Sequence, residues 1–377
     1  MKISLYIHIP FCIKKCLYCD FLSGPCDDRT RNLYVERLCL EIKTKGLEYG
    51  GYEVKSIFLG GGTPSILTGE QMLKILTTAK ASFRVDEDCE ITAEVNPGTV
   101  AEISKLSQYK DAGINRLSIG LQSTHNKELK MLGRIHTYEE FLDTWQMVKE
   151  CGFDNVNVDL ISALPGQTKE DMKENLDRIV KLGKPLTHVS VYSLIIEEGT
   201  PFYSIYDSSD IDEDLDRELY SLTNQVLSEY GFKRYEISNY ALPGYECRHN
   251  LVYWDRGNYL GLGLGASSMV ENVRWKNQDS LDDYMSSWKK NEVQVLSVKE
   301  QMEEFMFLGL RKLKGVSIRE FTECFGILLP EQYLDVIQRY TSMGMMKKVG
   351  ENIMLTDAGL NVSNTIMADF LFSEYSD

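Results

Sequence analysis

The chain has 377 residues, enough for one barrel-sized domain and a smaller second one, and its nine cysteines lack the spacing of a disulfide framework. Its 41 Lys and Arg residues against 56 Asp and Glu residues give a net charge of −15, which argues against broad contact with nucleic-acid phosphates or an anionic membrane surface. No signal peptide and no apolar run of about 18 residues is predicted, so we expect a cytoplasmic protein with no transmembrane segment and no nucleic-acid partner.

The first predicted strand, residues 4–10, leads directly into a loop with three closely spaced cysteines. These are Cys12, Cys16 and Cys19, in the order Cys-x3-Cys-x2-Cys. Three thiolates on one loop hold three irons of a four-iron cubane and leave the fourth iron open for a substrate. A structural zinc loop or three free thiols would also explain the cysteines, but zinc knuckles add a His or a fourth Cys nearby. Cys26 remains an alternative fourth ligand.

The sequence around the cysteines resembles a known superfamily. The string Tyr6-Ile-His-Ile-Pro-Phe-Cys12-x3-Cys16-x-Tyr18-Cys19-Asp20-Phe21 is similar to the radical S-adenosylmethionine (SAM) superfamily, in the branch of the oxygen-independent coproporphyrinogen III dehydrogenases and the HemW-type haem chaperones. The resemblance implies a [4Fe–4S] cluster on the three cysteines, with SAM chelating the open iron. It also implies that one electron from the cluster cleaves SAM to a 5′-deoxyadenosyl radical.

Five further strands are predicted, with room for one helix between consecutive strands. The strands cover residues 56–59, 90–95, 116–119, 155–161 and 188–195. Four of the helices cover residues 70–81, 100–112, 138–151 and 169–182. This alternation predicts an α/β fold of parallel units joined by right-handed crossovers. Six such units match the partial (β/α)6 barrel, similar to a TIM barrel, that the resemblance implies.

Glycine-rich and polar motifs follow these strands, at the face where parallel barrels place their chemistry. Gly60-Gly-Gly-Thr-Pro64 lacks the Lys of a phosphate loop, so its glycines indicate close backbone approach to another ligand, although a tight turn would also explain them. The resemblance assigns Gly61, Gly62 and Thr63 to the amino group of SAM. It assigns the remaining SAM contacts to Tyr6, Tyr18, Glu94, Gln122, Arg134 and Asp159. Carboxylates suit ribose hydroxyls or an ammonium, and a guanidinium suits the methionyl carboxylate.

Beyond the sixth strand, an acidic segment at residues 207–218 leads a helix to Tyr230, and residues 232–240 are predicted as a strand. His249-Asn250-x2-Tyr253-Trp254 then resembles the HNxxYW motif associated with haem contact in the HemW-type chaperones. An imidazole ligates haem iron and aromatic rings pack on a porphyrin face. Cys247 and Tyr253 are rival axial ligands. In a purely structural alternative, the first two motif residues cap a turn and the two aromatic residues fill the barrel mouth.

The pattern changes again near residue 296, after a glycine-spaced run at residues 257–265. Helices and a hairpin around Gly350 predict a small, mainly helical C-terminal domain that resembles a winged helix. This region holds 8 Lys and Arg against 12 Asp and Glu residues, which favours a structural or docking role over DNA binding. We predict three regions: a radical SAM core at 1–240, an extension carrying the HNxxYW motif at 241–295 and a HemN-type domain at 296–377.

Two features distinguish the branches of the resembled family. The dehydrogenase has a further cysteine two residues after the third cluster ligand, where this chain has Phe21, and an N-terminal extension, where this chain begins its strand by about Ile3. The leading hypothesis is a haem chaperone that binds haem and passes it to a haem-accepting protein, with an electron donor as a further partner. The alternatives are coproporphyrinogen III oxidation and another radical reaction on a tetrapyrrole. No catalytic residue is assigned, and whether the chain is an enzyme stays open.

Overall fold

The computed structural model describes residues 1–207, 210 and 212–371. Its centre is a twelve-stranded sheet in which six parallel strands pair in chain order. These strands are β1 (Lys2–Ile9), β2 (Glu53–Gly61), β3 (Arg84–Val95), β4 (Arg116–Gln122), β5 (Val156–Ser162) and β6 (Leu186–Ser193). The six predicted parallel strands of the α/β core are thereby confirmed.

Helices connect the strands as the alternation predicts. They are α1 (Asp28–Tyr49), α2 (Gly69–Ser82), α3 (Ile103–Asp111), α4 (Asn126–Met131), α5 (Tyr138–Glu150), α6 (Lys169–Val180) and α7 (Glu213–Glu229). Helices α2, α5 and α6 each begin with a capping box at a threonine, which explains their sharp starts. The prediction for α3 was wrong at its start, because the backbone is extended at Glu102, with φ of −141° and ψ of 143°, so the helix begins at Ile103. The short 3₁₀ turn Pro97–Thr99 lies further upstream. Similar turns lie at Pro64–Ile66 and Phe202–Ser204.

The polypeptide after α7 extends the same sheet at both edges. Its elements are β7 (Lys233–Arg234), β8 (Asn239–Ala241), α8 (Arg248–Trp254), β9 (Tyr259–Leu262), β10 (Ser267–Val270), β11 (Val273–Lys276), α9 (Leu281–Ser286) and β12 (Asn291–Val295). The single strand predicted at 232–240 was wrong, since the Tyr235 N–H bonds back to the Asn239 carbonyl and divides it into β7 and β8. Strand β9 lies in the glycine-spaced run and pairs in parallel with β1, a contact that the sequence did not predict.

Residues of β1 to β6 alternate between an apolar outer face and a polar inner face. The outer residues, such as Leu5, Ile57 and Leu117, belong to one core cluster with the surrounding helices. The buried polar residues at the alternate positions are Ser4, His8, Ser56, Glu90, Thr92, Arg116, Ser118, Asn157, His188 and Ser190. Because successive side chains of a strand point to opposite faces, this polar set lines the barrel interior.

The C-terminal region forms its own small unit with a separate apolar core. It contains α10 (Val298–Gly309), β13 (Val316–Ser317), α11 (Ile318–Phe325), α12 (Leu329–Gln332), α13 (Leu334–Ser342), β14 (Met346–Val349), β15 (Asn352–Leu355), α14 (Asp357–Leu360) and α15 (Ser363–Ala368). The predicted hairpin is confirmed as β14 and β15, which turn at Gly350 with φ of 60°. Residues 208, 209 and 211 of the acidic segment and 372–377 of the predicted domain lie outside the described residues. The three domain boundaries stay a prediction.

Candidate functional site

The cysteine loop is closed by its own backbone. The Cys12 N–H donates to the Gly24 carbonyl at 2.9 Å, and the Gly24 N–H donates to the Pro10 carbonyl at 3.0 Å. A third bond, from the Leu17 N–H to the Leu132 carbonyl at 3.0 Å, ties the middle of the loop to the chain after α4. Cys12 is buried, whereas Cys16 and Cys19 are half-buried. The loop therefore holds its three sulfurs at the carboxyl end of β1.

Two neighbouring side chains donate hydrogen bonds to cysteine sulfurs. The Thr63 hydroxyl donates to Cys12 Sγ at 3.4 Å, and Arg134 Nη1 donates to Cys16 Sγ at 3.4 Å. Sulfur that binds a metal is a thiolate, and a thiolate can accept both of these hydrogen bonds. Burial raises the pKa of Cys19, for which the Phe21 backbone supplies an opposing hydrogen bond. The donor set thus fits thiolate ligands of a cluster.

Cys12, Cys16 and Cys19 share one loop, and Cys26 lies apart from them in its electrostatic surroundings. Among the residues that the structure describes, no three His, Cys, Asp or Glu side chains gather around one metal position. A cubane spreads three thiolates over three irons, so its ligands do not meet at one point. The charges that act on Cys19 include Cys16 and Cys12, whereas those that act on Cys26 come from Arg31, Asp27 and Asp28. Cys26 therefore has a different environment from the three loop cysteines.

The glycines at the end of β2 let its backbone pass along the cysteine loop. The Gly62 N–H donates to the Ile9 carbonyl at 2.9 Å, and the Thr63 N–H donates to the Phe11 carbonyl at 2.8 Å. A Cβ on Gly62 would lie 2.7 Å from that Phe11 oxygen, and a Cβ on Gly61, whose φ is 107°, would meet the His8 ring. Any side chain here would displace the loop.

Glu94, Asp159 and Tyr6 form a group beside these glycines, at the end of the barrel that holds the cysteine loop. Glu94 Oε2 accepts from the Gly61 N–H at 3.2 Å. Burial and the neighbouring charge of Asp159 raise the pKa of Glu94 to about 8. Asp159 accepts from Asn157 Nδ2 at 2.8 Å and from the Ser118 hydroxyl at 3.2 Å, although burial still raises its pKa. Burial and the charge of Glu94 also raise the pKa of Tyr6.

Arg134, Tyr18 and Gln122 join this group through the end of β4. Arg134 Nη2 donates to the Gly120 carbonyl at 2.6 Å, and the guanidinium also donates to the Tyr18 hydroxyl. A Cβ on Gly120 would lie 3.0 Å from Gln122 Nε2 and 3.3 Å from Arg134 Nη2, so both side chains cover that glycine. Gln122 has φ of 75°, a conformation in which only a few per cent of non-glycine residues are found. The structure thus brings together the nine residues predicted for SAM.

The HNxxYW residues lie on α8, at the opposite end of the barrel. His249 is 1% exposed, and its two ring nitrogens pair with the Ser56 hydroxyl at 2.9 Å and the Tyr253 hydroxyl at 3.0 Å. Its ring stacks on Phe58 with centroids 5.1 Å apart. Burial and the charge of Arg116 lower the pKa of His249 to about 3. In this conformation the imidazole has no free nitrogen for iron.

The other motif residues differ in their accessibility. Asn250, Tyr253 and Trp254 are half-buried, and the guanidinium of Arg311 lies 4.4 Å from the centre of a Trp254 ring. Cys247 is buried beside Glu90, and burial raises the pKa of its thiol to about 12. Neither rival axial ligand is open, since the Tyr253 hydroxyl is already paired with the histidine ring.

Sequence reasoning missed the buried residues that position these groups. Glu90 of β3 accepts hydrogen bonds from the N–H groups of His249 and Arg248, at 3.0 and 3.2 Å, and so caps the start of α8. Asn157 donates a hydrogen bond to Asp159, and the Ser56 hydroxyl is hydrogen-bonded to the ring of His249. Alternating polar residues in otherwise apolar strands were the available signal, because inward-facing positions recur every second residue.

Three comparisons with known proteins bear on the family. The Radical SAM superfamily profile matches residues 6–179, and the HemN C-terminal domain profile matches residues 296–362. A protein of Lactococcus lactis named "Heme chaperone HemW" is 34% identical and covers 98% of both chains. The chain belongs to the HemW family. An Escherichia coli protein of the same name is 42% identical over 71% of this chain and 70% of its own.

A solved structure agrees on the fold of the whole chain. Coproporphyrinogen III oxidase (HemN) from Escherichia coli, titled as a radical SAM enzyme, superposes with a TM-score of 0.86 over 98% of this chain and 90% of its own. At 22% identity the match establishes the fold alone. The radical SAM fold with a helical C-terminal region is therefore confirmed. In the part of the chain that the structure describes, no helix is long and apolar enough to cross a membrane.

Proposed function

We propose that this HemW-family chain is a cytoplasmic haem chaperone, which binds haem and passes it to haem-accepting proteins. The observation that carries the proposal is the relationship to proteins named haem chaperones along 98% of both sequences, barrel and C-terminal region alike. The intact cysteine loop and the glycine-lined site next to it favour a radical SAM cofactor set in the same molecule. We infer that haem, an acceptor protein and an electron donor are its partners.

In this proposal Cys12, Cys16 and Cys19 hold a [4Fe–4S] cluster. Thr63 and Arg134 steady the first two thiolates through the bonds described above. When bound, the cluster supplies one electron for the cleavage of SAM. The chain contributes a pre-shaped site, because the glycines admit backbone contact where a side chain would collide with the cysteine loop.

SAM would lie across the carboxyl ends of the strands. The carbonyl oxygens near Gly61 to Thr63 and the Glu94 carboxylate suit the ammonium of SAM, and Arg134 suits its carboxylate. Asp159, Gln122, Tyr6 and Tyr18 complete the wall of this site. Because Glu94 has a pKa near 8, a cationic ligand would have to take it from its protonated to its ionised form.

Haem would contact α8 through Trp254 and Tyr253, with His249, Cys247 or Tyr253 as its axial ligand. The aromatic rings suit a porphyrin face and the imidazole suits iron. All three candidate ligands are engaged within the protein here, so ligation needs a rearrangement of α8. A macrocycle would first contact the solvent-facing side of this helix and not its buried face.

One pair of experiments tests the function. Cluster-reconstituted protein is incubated anaerobically with coproporphyrinogen III, SAM and dithionite, and the tetrapyrrole is analysed by mass spectrometry. Loss of two carboxyl groups, with 5′-deoxyadenosine formed in step, would identify the oxidase alternative. Unchanged substrate, together with saturable haem binding and a haem-transfer rate that rises with the concentration of an apo-haem protein, is the result expected for the chaperone.

A further inference from the structure

Helix α8 is held between the barrel and the C-terminal region. On its outer side, Arg311 covers the Trp254 ring, and the Asp255 carboxylate forms an ion pair with Lys312. Directly after the helix, Arg256 Nε donates to Glu304 of α10 at 3.0 Å. Three consecutive residues at the carboxyl end of α8 thus contact the C-terminal region.

The inner side of α8 is anchored in the barrel. Glu90 caps its first turn through two backbone N–H groups, and the Ser56 hydroxyl holds the ring of His249. That hydroxyl in turn donates to the Ser4 hydroxyl at 2.7 Å, so the anchor reaches β1 as well as β2. The helix with the HNxxYW motif therefore connects the barrel to the C-terminal region.

A planar macrocycle that stacks on α8 would compete with contacts that the aromatic side chains of the motif already make. The guanidinium of Arg311 occupies one face of Trp254 at 4.4 Å, a cation–π contact that a porphyrin would have to displace. Tyr253 turns its hydroxyl toward the histidine ring and packs edge-on against Tyr259 at 4.8 Å. In this conformation, haem could stack on these rings only by displacing the contacts that they already make.

We propose that the C-terminal region gates haem entry by clamping α8 through Arg311 and Lys312, and that haem loads when this clamp opens. The inference rests on the proposed function of this motif as the haem contact. Each outer contact has one partly exposed partner, because Arg311 is half-buried and the Asp255 side chain is 47% exposed, although Lys312 is 8% exposed. In the Arg256–Glu304 pair both side chains are largely buried, at 12% and 6% exposed, so the outer contacts are the more easily hydrated ones. Opening therefore separates Arg311 and Lys312 from α8 while the Arg256–Glu304 pair keeps the two units together.

The gate predicts that loosening the clamp strengthens haem binding. The apparent dissociation constant of a ligand falls in proportion to the rise in the fraction of molecules that are open. Removal of one half-buried cation–π contact should lower the apparent dissociation constant for haem about two- to fivefold. Arg311→Ala and, separately, Asp255→Asn are the variants to titrate with haemin. Arg319→Ala is the matched control, since Arg319 is an exposed arginine of the same region that pairs with Glu323.

The outcomes separate this inference from the proposed function. Tighter and faster haem binding by both clamp variants, with the control unchanged from the parent chain, supports the gate. Binding unchanged in both variants, or lost in Arg311→Ala with its folded circular dichroism spectrum intact, would overturn it, because Arg311 would then be neutral or part of the haem site. If Arg311→Ala does not fold, Asp255→Asn alone decides. Absence of saturable haem binding by the parent chain would instead reject the proposed function.

Discussion

The ionisation of Glu94 should make SAM binding depend on pH. Burial and the charge of Asp159 raise the pKa of its carboxyl to about 8. The ammonium of SAM favours the ionised carboxylate, so binding at pH 7 has to include the loss of a proton. Affinity for SAM should therefore rise between pH 6 and pH 7, a range in which the α-amino group of SAM, with an ordinary pKa of about 7.7–8.0, keeps its proton.

The size of the effect follows from the pKa. With a pKa of about 8, the carboxyl is ionised in roughly one of a hundred molecules at pH 6 and in roughly one of eleven at pH 7. If the bound form is fully ionised, affinity increases about ninefold between these pH values, or about 1.3 kcal/mol. Glu94→Gln cannot ionise and should remove this increase.

Titration calorimetry of cluster-reconstituted protein with SAM, at pH 6 and pH 7, measures the change. Buffers with different ionisation enthalpies report the released proton directly. Glu102→Gln is the control, because Glu102 is an exposed carboxylate at the start of α3 that accepts a hydrogen bond from the Ser104 hydroxyl. Equal affinity at both pH values would show that SAM binding does not require ionisation of Glu94. The same pH dependence of affinity in Glu94→Gln as in the parent chain would show that another group is responsible.

Further predictions concern the cluster loop and α8. Replacement of Cys12, or of either other loop cysteine, by Ala should abolish the visible absorption of the reconstituted cluster, whereas Cys26→Ala should keep it; equal iron content in all variants would contradict the ligand assignment. Gly62→Ala should lower cluster content severalfold, because its Cβ would collide with the cysteine loop; an iron assay checks this. His249→Ala should lower the free energy of unfolding by about 2–4 kcal/mol, since it removes a buried, doubly bonded ring, and Asn250→Ala by less than about 1 kcal/mol. Urea unfolding tests that difference.

The sequence was sufficient for the features that depend on short-range pattern. Alternating apolar runs and regular spacing predicted the six parallel strands, and the motif Cys-x3-Cys-x2-Cys with Gly61 and its neighbours predicted which residues gather at one end of the barrel. These predictions succeeded because the carboxyl ends of parallel strands necessarily meet at one face. The residue roles themselves stay predictions.

The features that were missed depend on contacts between distant segments. Strand β9 pairs with β1 across more than 250 residues, and its four residues contain Gly261 and lie within a run of regularly spaced glycines that conceals a strand pattern. Glu90 caps α8 from another strand, which no local pattern could reveal. The HNxxYW motif predicted a haem contact from residue types, yet whether His249 faces solvent or the interior depends on the packing of α8 against β2.

The separation of the two ends of the barrel bears on whether a radical could act on bound haem. His249 is level with Ser56, whereas the glycines assigned to SAM begin at Gly61, five residues or about 16 Å further along β2. The ring of Phe58 and that of Tyr6, from the wall of the SAM site, lie between them; these rings stack at 6.4 Å, and the Tyr6 ring lies 6.5 Å from that of His249. Haem at α8 would therefore be screened from a radical formed at the cluster. We expect haem recovered after incubation with SAM and dithionite to be chemically unchanged by mass spectrometry. A methylated or ring-opened tetrapyrrole would show that haem reaches the cluster end, and it would favour the radical enzyme over the carrier.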